Sequence, residues 1–224
     1  MKNRQEILSI NKGSFGYTGS RKNKVLMENI SSSILKGELV CLLGTNGSGK
    51  STLLKTVMRL IPRLNGSIKV NQKDIEKYNK QKLAATLGYV STEIIRNEEM
   101  TVFELVQLGR YPFTNWMGIQ DSEDKRMVKE SIKKLGLNGM ENRKVSEISD
   151  GERQRAMIAR TVAQNTELIL LDEPSAFLDI PNKYEMASLL RSLCEQGKTA
   201  LFSTHDLNLA LAFADKLWLI DGVS

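Results

Sequence analysis

The chain has 224 residues, 32 lysines and arginines against 26 aspartates and glutamates, a formal charge of +6 and 41% apolar side chains. That length allows one domain with a substantial core, while no window approaches the roughly 18 consecutive apolar residues of a membrane span and the polar start Met1-Lys2-Asn3-Arg4-Gln5 leads into no signal-peptide core. With neither span nor signal core the chain should remain in the cytoplasm. The two cysteines, Cys41 and Cys194, lie in unlike segments and read as packing residues, which argues against a disulfide framework; the basic residues are mixed with acidic ones, as in 121–134, so a nucleic-acid partner is not expected.

Residues 5–10 read as a strand, followed by a glycine-rich turn through Gly13 and Gly16, a polar loop over 18–24 and the alternation Val25, Met27, Ile30, the pattern of an antiparallel sheet edge. A short apolar strand follows at 38–43. Next come a glycine-rich loop and a helix carrying Leu53, Leu54, Val57 and Ile61 on one face, with Pro62 ending the pattern. Residues 66–75 read as a strand and hairpin turn, and 87–91 as another strand. From 93 to about 164 the signals are helical: Val102, Leu105 and Val106, a break at 109–112, then Met127, Val128, Ile132 and Leu135 stopped by Gly136. Compact apolar strands return at 168–171, 199–203 and 216–220, the first two separated by a helix whose Met186, Leu189, Leu190 and Leu193 share a face that Gly197 closes. Strands alternating with helices predict an α/β fold with a mostly parallel sheet covered on both faces, an N-terminal antiparallel β part and a helical insertion.

Two segments carry chemistry. Gly44-Thr45-Asn46-Gly47-Ser48-Gly49-Lys50-Ser51-Thr52 has the spacing of a phosphate-cradling loop and sits between the strand and the helix that such a loop requires. Its glycines let the backbone approach phosphates, and consecutive N–H groups with the helix N-terminus form an anion nest. Lys50 would reach the β- and γ-phosphates of a nucleoside triphosphate, and the Ser51 hydroxyl would ligate Mg²⁺. The second segment, Leu168-Ile169-Leu170-Leu171-Asp172-Glu173-Pro174, is an apolar strand ending in two carboxylates at a sheet edge. Asp172 is expected to help hold Mg²⁺, and Glu173 to polarise the attacking water as general base.

The order of phosphate loop, Ile148-Ser149-Asp150-Gly151-Glu152-Arg153-Gln154-Arg155, the LLDEP segment, Ser175-Ala176-Phe177-Leu178-Asp179 and Ser203-Thr204-His205-Asp206 resembles the ATPase subunit of an ATP-binding cassette (ABC) transporter, a P-loop nucleoside triphosphatase, over essentially the whole of 1–224. The resemblance implies ATP and Mg²⁺ as cofactors and a head-to-tail dimer, with a second copy or a close paralogue, in which each signature completes the other's ATP site. By matching position Tyr17 is similar to the aromatic that stacks on adenine, a sheet-packing tyrosine being the alternative. Ser149, Gly151 and Glu152 fall in the signature, Asp179 matches the aspartate through which the two sites communicate, and His205, the single histidine, matches the switch histidine beside the γ-phosphate.

Two departures stand out. Where the family has a glutamine reaching toward Mg²⁺, this chain has Thr92 followed by Glu93, the candidates for that metal position. The signature reads Ser-Asp-Gly-Glu in place of Ser-Gly-Gly-Gln, and a carboxylate near a triphosphate costs energy unless it points away or meets a cation such as Arg153 or Arg155. Both departures are expected to preserve ATP-driven closure while slowing or retuning it. The segment Met100-Thr101-Val102-Phe103-Glu104-Leu105-Val106 with Leu108-Gly109-Arg110-Tyr111-Pro112-Phe113 is similar to that of importers of iron-siderophore complexes, haem and cobalamin. Such importers imply transmembrane permease subunits, a separate substrate-binding protein and a peripheral place on the cytoplasmic membrane face. The helical subdomain is expected at about 93–164, and the chain ends early for the family. An attenuated or regulatory nucleotide-binding module and a non-transport ABC ATPase are the alternative readings.

Overall fold

The computed structural model describes residues 5–19, 24–92, 99–113, 121–176 and 178–221. In chain order the elements are β1 (Glu6–Tyr17), β2 (Lys24–Leu35), β3 (Leu39–Gly44), α1 (Lys50–Val57), β4 (Asn65–Val70), β5 (Lys73–Asp74), α2 (Lys80–Thr86) and β6 (Leu87–Val90). They continue with α3 (Val102–Gln107), α4 (Ser122–Lys134), α5 (Asp150–Ala163), β7 (Leu168–Leu171), α6 (Ile180–Glu195), β8 (Thr199–Thr204), α7 (Leu207–Phe213) and β9 (Lys216–Ile220). One sheet is antiparallel, in the order β2-β1-β4-β5; the other is parallel throughout, in the order β6-β7-β8-β3-β9.

The parallel strands read as continuous apolar runs because both of their faces are covered. Side chains alternate along a strand, and the alternation sorts them into two cores. Leu39, Cys41, Ile169, Leu171, Ala200 and Phe202 join the helical layer of α3, α4, α5 and α6. Val40, Leu42, Leu168, Leu170 and Leu201 face α1 and the antiparallel sheet, where Ile7, Phe15, Ile34, Leu54 and Ile68 are buried. Each fully buried leucine such as Leu170 contributes about 1.5–3 kcal/mol of apolar transfer. The sheet is thereby held from both sides, and its carboxyl edge becomes a rigid base for the loops that leave it.

Local structure departs from the expectations in β1, at the end of α1, around Gly109, and at α2 and α7. Gly13 and Gly16 lie inside β1, not in a turn; a Cβ on Gly16 would come within 2.0 Å of the Lys24 carbonyl oxygen, so that glycine serves close approach of β2. Helix α1 ends at Val57, before Ile61 and Pro62, because Arg59 turns left-handed at φ 55° while its guanidinium donates to the Ile75 and Tyr78 carbonyls. The expected break around Gly109 is a 3₁₀ turn, Leu108–Phe113, whose buried Arg110 donates from Nε to Asp124 at 2.7 Å and from Nη1 to the Ala163 carbonyl at 2.9 Å. Helices α2 and α7, each seven residues, were too short to show a period. The hairpin after β4 turns on Asn71 and Gln72, both at positive φ.

Candidate functional site

The loop leaving β3 is shaped by Gly47 at φ 82° and Gly49 at φ 102°, conformations that side chains disfavour. It delivers Lys50 to the first position of α1, where the N-terminal amides have no partner within the helix. Lys50 is buried, and its Nζ donates to the Gly44 and Thr45 carbonyls at 2.9 and 3.0 Å. The same ammonium meets Glu173 Oε1 at 3.2 Å, and the other oxygen of Glu173 lies 3.5 Å from His205 Nδ1. Thus the phosphate loop, the end of β7 and the residue after β8 converge on one carboxylate. Glu173 itself is held at φ 45°, a conformation that the surrounding structure must enforce.

Next to it Asp172, almost fully buried, accepts from Ser51 Oγ at 2.9 Å and from Ser203 Oγ at 2.9 Å, with Tyr89 Oη at 3.5 Å from its second oxygen. The hydroxyl of Ser51 and the carboxylate of Asp172 are hard oxygen donors side by side, the chemistry Mg²⁺ takes. Among the described residues no three His, Cys, Asp or Glu side chains cluster as a metal site. The buried Ser48 Oγ, without a protein partner, adds an unsatisfied polar atom to the loop.

A cleft of about 300 Å³ opens over this edge, lined by Tyr17, Lys24, Leu26, Gly47, Gly49, Lys50, Ser51, Thr52 and Glu173. Tyr17 is half-exposed there, and its hydroxyl shares a hydrogen bond with Thr52 Oγ1 at 3.0 Å. Thr92 donates from Oγ1 to the Asp172 carbonyl at 3.1 Å, so its hydroxyl is engaged with the main chain instead of the carboxylate pair. Glu93 and Phe177 lie outside the described residues.

The signature residues do not line this cleft. Ser149 caps α5, exchanging hydrogen bonds with Glu152 in a capping box, and bonds from the Ser149 amide and then its hydroxyl hold the Glu152 carboxyl below the usual range. Asp150 meets Arg153 at 2.6 Å, while Arg155 pairs with Glu185. A Cβ on Gly151 would lie 3.6 Å from the Asn182 side chain, and Asp179 caps α6 by accepting from the Asn182 amide at 3.1 Å. Four residues of the site escaped the sequence reading: Lys24, Leu26, Tyr89 and Ser203. Only Ser203 left a trace, as a hydroxyl ending an apolar strand just before Thr204-His205-Asp206. Burial pushes both Cys41 and Cys194 up to about 12, in keeping with packing thiols.

A phosphate loop and a histidine after the neighbouring strand that meet on the carboxylate of an acidic strand end, with an antiparallel sheet beside and a helical layer above, define a P-loop ATPase of the cassette type. Residues 27–176 match the family model described as ABC transporter, and the chain belongs to that family. The achromobactin transport ATP-binding protein of Dickeya dadantii is 40% identical, over 87% of this chain and 73% of its own length. The iron(3+)-hydroxamate import ATP-binding protein of Bacillus subtilis is 38% identical over 86% and 72%, and the manganese transport ATP-binding protein of Synechocystis 34% over 96% and 81%. Among solved structures, a metal-chelate type ABC transporter in an inward-facing conformation aligns with TM-score 0.84 at 30% identity, covering 97% of this chain and 80% of that one. A dimeric post-hydrolysis cassette bound to ADP and Pi aligns with TM-score 0.82 at 27% identity over 96% and 94%.

The chain is therefore a Mg²⁺-dependent ATPase, the ATP-hydrolysing subunit of an ABC transport system. Dimerisation belongs to this class. No helix among the described residues is long and apolar enough to cross a membrane.

Proposed function

We propose that this ATPase energises import of a chelated metal, with ferric siderophore complexes as the cargo class. The observation that carries the reading is the pair of relatives at 40% and 38% identity whose names specify achromobactin and iron(3+)-hydroxamate. In this reading two copies, or this chain and a close paralogue, sandwich ATP and drive permease subunits from the cytoplasmic membrane face, while a separate binding protein delivers the cargo.

Within each site, Tyr17 would lie against adenine and the backbone of 44–52 would bind the phosphates, with Lys50 as the point charge. Ser51 and Asp172 would hold Mg²⁺, which when bound neutralises charge on the phosphates. Glu173 takes the role of general base and His205 that of its orienting partner. Lys50 now occupies one oxygen of Glu173; ATP phosphates offer that ammonium a competing anion, which would release the carboxylate toward water. Ser149 and Gly151 of the second copy would close the site over the γ-phosphate, and Asp179 would report between the two sites.

The manganese relative, matched over 96% of this chain, favours a second reading in which the cargo is a free divalent ion. Uptake of radiolabelled iron, given as a hydroxamate chelate, and of Mn²⁺ in source cells carrying Lys50→Ala separates the two. Loss of chelate uptake with Mn²⁺ uptake intact is expected. Loss of Mn²⁺ uptake alone would transfer the assignment, and both intact would remove the metal-import reading.

A further inference from the structure

We propose that Ser203 is a positioning residue that sets the Mg²⁺-side carboxylate and the backbone of the general base together. Its hydroxyl is fully buried and uses both of its capacities: it donates to Asp172 Oδ1 at 2.9 Å and accepts from the Glu173 amide at 2.8 Å. No other described side chain touches both residues of that acidic pair through hydrogen bonds of this length. Ser203 belongs to β8, whose end carries His205 two residues later, so one hydroxyl ties the β7 edge to the strand that supplies the histidine.

The need for such a tie follows from the backbone. Glu173 sits at φ 45°, which a residue with a side chain adopts only when neighbours over-determine it. On the β6 side the turn is held by Asp172 N–H donating to the Val90 carbonyl at 2.9 Å and by Thr92 Oγ1 donating to the Asp172 carbonyl. On the β8 side Ser203 supplies the hydrogen bonds. Without its hydroxyl the Glu173 amide loses its acceptor and Asp172 loses one of two close donors, leaving Ser51 as the other. Asp172 could then rotate away from Ser51, and the Glu173 peptide could relax toward negative φ. Both movements loosen the metal-side oxygens and the base at once, and neither requires any change in the phosphate loop.

The inference rests on the roles proposed above for Asp172 and Glu173. The test is the Mg²⁺ concentration that half-saturates its effect on binding of a fluorescent ADP analogue, read without turnover, alongside kcat. Ser203→Ala is expected to raise the Mg²⁺ midpoint and lower kcat by about tenfold each, the scale of losing one hydrogen bond to a charged group, with analogue affinity in EDTA unchanged. Ser203→Thr and Ser203→Val have matching shapes and differ in the hydroxyl; Thr should keep the wild-type midpoint and Val should shift it as Ala does. This pair decides the matter even if the Ala variant does not fold. Equal midpoints in Thr and Val, or an unchanged midpoint in Ala with only a lower Tm, would overturn the proposal. Asp172→Asn and Glu173→Gln measured in parallel keep the two layers apart: a wild-type midpoint in the former or wild-type turnover in the latter removes the underlying roles, whatever the Ser203 series shows.

Discussion

In the proposed function the carboxyl edge of the parallel sheet and the N-terminus of α5 carry the two halves of an ATP site, and the structure builds them in opposite ways. At the sheet edge Lys50, Ser51, Asp172, Glu173 and His205 already touch one another, with Lys50 and Asp172 buried, around a strained turn. At α5 the signature is exposed and satisfies itself: Ser149 bonds Glu152, and Asp150 bonds Arg153. The first half is preorganised to bind nucleotide in a single chain. In that reading the second would exchange internal hydrogen bonds for contacts to a partner's ATP, so its contribution would depend on assembly. Affinity and assembly are thereby assigned to separate parts of the fold, and substitutions can tell them apart.

The largest effect is expected at the preorganised half. Glu173→Gln should reduce Mg²⁺-ATP turnover by at least about a hundredfold, the usual contribution of a positioned base, while ATP binding persists and a closed dimer accumulates in size-exclusion chromatography. Full turnover in that variant would break the contrast at its stronger side. Next in size is Asp124→Asn, which leaves the buried Arg110 guanidinium without its counter-ion beneath α5. Removing one member of a buried pair costs about 3 kcal/mol, read as a lower urea midpoint. Because the clasp supports the signature helix and not the phosphate loop, monomer affinity for ATP should stay at the wild-type value; a parallel loss of affinity would mean that the two halves are mechanically one.

Ser149→Ala is smaller. Loss of the cap costs about 1 kcal/mol of stability, and the steep dependence of ATPase rate on protein concentration expected of the proposed dimer should flatten, since the partner's γ-phosphate would lose a donor. Stability loss with concentration dependence unchanged would restrict Ser149 to capping its own helix.

How far each half could be read in the chain follows from where its partners lie. The phosphate loop is nine consecutive residues, and β7 is a fully buried run followed directly by Asp172 and Glu173, so covalent neighbours alone displayed both. His205 came from its match to the family's switch histidine, supported by its place after the strand at 199–203. The role of Ser203 did not show: the residue stands in the quoted motif, but its partners sit about 30 positions earlier in the chain. Gly13 and Gly16 look the same in sequence whether a chain reverses or two strands approach closely, and the structure chose the latter. Arg59 ended α1 ahead of Pro62 through contacts to Ile75 and Tyr78, which the helical period could not contain. Of the two departures, Asp150 met the cation anticipated for it, Arg153, in its own helix.

The smallest expected effect isolates Glu152. Its carboxyl is held below the ordinary value by the Ser149 amide and hydroxyl, so its folded pKa is depressed. The associated stability is present above the unfolded pKa and is lost as pH falls through the folded one. Glu152→Gln keeps an oxygen that can accept both Ser149 bonds but removes the titration. Near neutral pH the variant should lose only a few tenths of a kcal/mol, the scale of one exposed charge-assisted contact, and the difference should shrink or reverse on acidification to about pH 3. Glu104, likewise held below the ordinary value by the Thr101 amide and hydroxyl at α3, remains in the variant, so part of the acid limb must persist. Urea midpoints of the two proteins across that range measure the difference directly. A constant offset at every pH would show that the Glu152 charge contributes nothing to capping α5. The glutamate in place of the family's glutamine would then have to be explained at the dimer, where its charge meets the partner's nucleotide.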